Sequence, residues 1–135
     1  MKRAFLVAAF YVSLSGCQKQ PEVYQPPSYS PSPPVRLSAA DREVITSVVR
    51  SEMKDPWSVK FGPMSAVKDD SGLVFVCGTL NAKNSFGAYT GYQPFSGALS
   101  KIDPLPPFFS MIGRATSEAE SQALIRQCRG KGVAI

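Results

Sequence analysis

Histidine is absent from all 135 residues of this chain, and that absence removes more chemistry than any other feature of its composition. Without an imidazole there is no Ser-His-Asp or Cys-His catalysis, no His-ligated zinc and no histidine general base at neutral pH. Cysteine is scarce as well. There are three, none in a C-x-x-C spacing, so a dithiol redox centre is not indicated. Charge of either sign is sparse: 15 basic and 10 acidic side chains are scattered along the sequence. A nucleic-acid-binding domain concentrates basic residues on a face or stripe, and no nucleic-acid partner is expected. Two S-x-x-K matches, Ser51 to Lys54 and Ser65 to Lys68, open the signature of penicillin-recognising serine enzymes. The companion S-D-N and K-T-G elements are missing, and the domain is too short for that fold. Asp69-Asp70 is turn chemistry before it is a metal site. No cofactor and no metal is expected, and the chain reads as non-enzymatic.

What is present begins at the N-terminus. Lys2 and Arg3 precede an apolar stretch from Ala4 to Val12, too short to span a membrane, and Leu14-Ser15-Gly16-Cys17 follows. This is the layout of an export signal. The four residues resemble the lipobox of bacterial lipoproteins. That resemblance implies removal of residues 1–16 and diacylation of Cys17, which becomes the first residue of the mature protein. In enterobacterial-type sorting an aspartate after the cysteine retains a lipoprotein at the inner membrane. Gln18 stands there instead, so the resemblance implies lipid anchoring at the outer membrane, facing the periplasm. Two or more acyl chains hold a protein on a bilayer where one does not, at about 0.8 kcal/mol per buried methylene. The alternative is an ordinary cleaved signal that leaves Cys17 as a thiol or disulfide partner.

Residues 17–35 are read as the lipidated cysteine and a tether. Six prolines fall between Gln18 and Val35, among Ser, Gln and two tyrosines, with no apolar periodicity. Proline bias extends such a segment toward polyproline II, at about 3.1 Å per residue. Pro31-Ser32-Pro33-Pro34 also resembles ligands of proline-recognition modules.

Residues 36–135 suffice for one small α+β domain. Ser38 is an N-cap with Asp41 in the first turn, and Ala40, Val44, Ile45, Val48, Val49 and Met53 recur at helical spacing up to the break at Asp55-Pro56. Ser117-Glu118-Ala119-Glu120 is a capping box for a second helix over 118–129, with Leu124, Ile125 and Cys128 on its apolar face. Between them the pattern is β. Met64 to Lys68, Leu73 to Leu80 and Tyr89 to Phe95 read as strands, the last pushed to an edge by Pro94. The expectation is two helices on a small three-stranded antiparallel sheet, in the order α-β-β-β-α, with residues 103–115 as a loop.

With Cys17 lipidated, Cys77 and Cys128 form an even pair in an oxidising compartment, and a disulfide between them is expected. The segment from Cys77 to Phe95 resembles a stretch found in small uncharacterised exported proteobacterial proteins, a likeness that carries no activity with it. Asn81, Lys83, Asn84, Tyr89 and Tyr92 could form an amide and aromatic surface for a glycan, a peptidoglycan fragment or a protein. Equally, Asn and Gly could be serving the turn and the tyrosines covering the sheet. Phe108 and Phe109, in the apolar run Leu105 to Ile112, either close over the core or form a docking patch. The resulting expectation is an envelope lipoprotein whose non-enzymatic domain binds an envelope component, peptidoglycan or a protein partner. A cell-wall hydrolase or transferase, and an inhibitor or phage-exclusion lipoprotein, are the alternatives.

Overall fold

Both helices begin where capping chemistry satisfies their first free amides. At the first, the Ser38 hydroxyl accepts from Asp41 N while the Asp41 carboxylate accepts from Ser38 N at 2.8 Å; at the second, Ser117 and Glu120 do the same. Two orphan donors are met reciprocally at each end. The computed structural model describes residues 32–135, so the expected signal segment, the expected lipidation at Cys17 and the segment read as tether through Pro31 lie outside the described residues. Along the described chain run β1 (Pro34–Val35), α1 (Ala39–Ser51), β2 (Lys60–Lys68), β3 (Val74–Asn81), β4 (Gln93–Ser100), β5 (Phe108–Arg114) and α2 (Glu118–Gly130), with one 3-10 turn at Pro56–Ser58 between α1 and β2.

The five strands form one antiparallel sheet in the order β1-β2-β3-β4-β5. This corrects the expected three-stranded sheet, although the α+β class and both helices stand. Two strands went unrecognised. Pro34 and Val35, within the span read as tether, pair with Val67 and Ala66. Residues 103–115, expected to be a loop, contain β5, because the prolines end at Pro107 and Phe108–Arg114 is free to pair with β4. Pro94 does not put β4 at an edge either. Its carbonyl accepts from Ala115 N at 3.0 Å. The N–H and C=O of one strand residue point the same way, so the donor Pro94 lacks falls just past the end of β5, where the ladder has stopped.

The sheet carries a helix on each face, and β3 is apolar on both for that reason. Val74, Val76 and Leu80 pack with Ile45 and Val49 of α1 and with Phe95, Leu99 and Phe109 of the neighbouring strands. On the reverse face Phe75 and Cys77 meet Cys128, Val67 and Val133. Here the expected disulfide is present: Cys77 and Cys128 are bonded, with Cα atoms 6.3 Å apart. Among the described residues no helix is long and apolar enough to cross a membrane.

Candidate functional site

The β3–β4 connection is a polar hairpin built around one asparagine. Asn84 Oδ1 accepts from Phe86 N and Ala88 N, Asn84 N donates to Ala88 O, and Gly87 takes the positive φ of 79° that the reversal requires. Asn84 therefore spends its carbonyl on the turn. Below the tip Lys83 bridges to Tyr89, whose hydroxyl donates to Ser58 O at 2.9 Å. The Lys60 and Lys83 ammonium groups lie 4.4 and 5.9 Å from the Tyr89 ring centre, within cation–π range. Tyr92 is about half exposed and lies beside Gly62, where a Cβ would come 3.3 Å from its ring.

The hairpin leans toward the C-terminal end of α1, and the two enclose a groove of about 550 Å³. Met53, Leu80 and Ala82 give it an apolar floor. Glu52 and Lys54 enter from the end of α1, Lys83, Thr90 and Gln93 from the hairpin, and Arg114 and Thr116 from the end of β5. Lys54 Nζ donates to Ser85 Oγ at 2.9 Å, joining helix to hairpin across the groove. A lysine activates a serine only when its amine is desolvated and stripped of its proton. Both side chains here are exposed, so this contact is a strut.

Of the residues singled out from sequence, Lys83 and Asn84 line the groove. Asn81, Tyr89 and Tyr92 belong to the same hairpin region without lining it. Asn81 Oδ1 is buried and finds no hydrogen-bond partner among the described residues. Phe108 and Phe109 lie at the far end of β5 from Arg114, and strand alternation separates them: Phe109 is 1% exposed and Phe108 67%. Glu52, Lys54, Thr90, Gln93, Arg114 and Thr116 line the groove as well, and none was expected from the sequence as a binding residue, although Glu52 and Lys54 fall in an S-x-x-K match and Thr90 and Gln93 in the Cys77 to Phe95 segment. Their positions span more than sixty residues, and no spacing announces that they meet. Ser96 Oγ is also buried with no hydrogen-bond partner among the described residues, and nothing in the structure explains it. Among the described residues no cluster of three or more acidic or cysteine side chains could hold a metal. Comparison with protein-family models, with curated proteins and with solved structures yields no match.

Proposed function

We propose that this chain is an outer-membrane lipoprotein, anchored through Cys17, whose domain is a non-enzymatic recognition module for a component of the cell envelope. The observation that carries the reading is the groove between α1 and the 82–93 hairpin. It has a volume typical of small-ligand sites, an apolar floor and polar side chains delivered from three elements. Among the described residues Glu52 is the only carboxylate in its lining, so the paired carboxylates of glycoside-cleaving chemistry cannot be assembled there. The lipobox resemblance and the proline-rich segment after it support a tethered domain at the membrane.

A photo-reactive residue at Thr90, in the groove, should cross-link in cells to an envelope macromolecule. The same probe at Ser47, exposed on α1 away from the groove, should not. Identical products from both positions would remove the groove as the recognition site. Cys17→Ser should abolish fatty-acid labelling and membrane retention; equal labelling of mutant and wild type would remove the anchor.

A further inference from the structure

Lys54, Lys83 and Arg114 share the groove with a single carboxylate, Glu52. None of the four forms an ion pair among the described residues, unlike Lys101, which is paired with Asp41. A domain that gathers three cations around one concavity without a matching counter-charge, Lys54 meeting a serine hydroxyl and Lys83 a tyrosine ring, is set up for an oppositely charged ligand. Glu52 makes the pattern more specific, because a site for a simple polyanion gains nothing from a carboxylate. Three cations beside one anion are complementary to a molecule with three anions beside one cation.

We infer that the groove takes a short peptide bearing three carboxylates and one ammonium, the pattern carried by the stem tetrapeptide of diaminopimelate-type peptidoglycan. This rests on the groove being the recognition site and names its ligand. Arg114 offers the planar fork that suits a carboxylate, and the two lysines act as point charges. Glu52 receives the ammonium. Thr90, Thr116 and Gln93 supply hydrogen bonds to peptide amides, while Met53, Leu80 and Ala82 lie under alanyl methyl groups. A phosphate headgroup fits less well. A membrane surface meets a convex basic patch, whereas these charges line a recess and include an acid.

Calorimetric titration of the full lipidated chain in detergent with soluble disaccharide tetrapeptide tests the assignment. Saturable binding, weakening as salt rises, is expected. Arg114→Gln should reduce affinity by about tenfold, equivalent to about 1.4 kcal/mol, with an unchanged melting curve, and Arg114→Lys should recover part of it. A tetrapeptide with amidated carboxylates should bind at least tenfold more weakly, as should a stem with lysine in place of diaminopimelate, which lacks one carboxylate. Inorganic phosphate and glycerol phosphate should not compete at equal concentration. Equal affinity for the amidated peptide, effective competition by either phosphate, or full binding by a correctly folded Arg114→Gln chain would overturn the proposal. If no tetrapeptide binds while Thr90 still cross-links to an envelope macromolecule, the ligand assignment fails and the recognition site stands.

Discussion

At the scale of single residues, the carboxylate that folding takes furthest out of water is Asp41. It is buried at the start of α1, accepts from Ser38 N in the capping box, and forms the Lys101 ion pair at 2.6 Å. Burial alone would raise its pKa, but the hydrogen bonds from Lys101 and Ser38 and the lysine charge outweigh it, and the carboxyl sits below its ordinary value. A depressed carboxylate adds stability that is fully present above its unfolded pKa of about 3.9 and is lost as pH falls through the folded value. Asp41→Asn should therefore cost about 1–3 kcal/mol at neutral pH. The gap between mutant and wild type should close below about pH 4. Urea unfolding of both across that range is the measurement, and a gap independent of pH would show that the charge contributes nothing. Asp69 and Glu120 are lowered in the same direction, chiefly by side-chain hydrogen bonds from Ser71 and Thr116, and they steepen the acid limb of both proteins alike.

At the scale of elements, β5 is where two adjacent phenylalanines part company. Phe109 enters the core under α1 because Gly97, its diagonal neighbour on β4, has no side chain. A Cβ there would fall onto the Phe109 ring and within 2.6 Å of the Ser110 carbonyl. Phe109→Ala should cost about 3–5 kcal/mol, and Gly97→Ala about 1–3 kcal/mol through overpacking. Phe108→Ala should stay within about 0.5 kcal/mol, since its ring is mostly in water. Thermal melts order the three variants; a Phe108→Ala change as large as Phe109→Ala would mean that the outer face of β5 is covered. The 82–93 hairpin divides in the same way. Asn84→Ala removes two turn hydrogen bonds and should loosen the hairpin, whereas Tyr92→Ala leaves the turn intact.

At the scale of the whole molecule, the Cys77–Cys128 bond fastens α2 to the central strand and closes a loop of about 50 residues. By the chain-entropy argument it contributes at most about 4 kcal/mol. Reduction should lower the urea midpoint while leaving helical structure formed in the absence of denaturant, as read by circular dichroism; an unchanged midpoint would make the bond incidental. The pairing itself was legible from the sequence, because two cysteines remained once Cys17 was assigned to lipid. The helices were legible for an equally local reason: caps, apolar spacing and stop signals all lie within one or two turns of the residues they govern. The central strand announced itself by being apolar on both faces. The sheet's size did not, since β1 is only two residues, Pro34 and Val35, at the end of a proline-rich run, and β5 is disguised by the prolines before it. Whether such segments become strands depends on a neighbour with free backbone groups, and only the folded sheet provides one. The groove followed the same rule. Lys83 stood out within an unusual segment, but Glu52, Lys54 and Arg114 are ordinary surface charges in their own neighbourhoods. Local sequence determined the caps, the turns and the cysteine pair because their partners are near in the chain or few in number. Tertiary structure alone decided which distant charges share one concavity, because only the closing of helix, hairpin and sheet end brings them together.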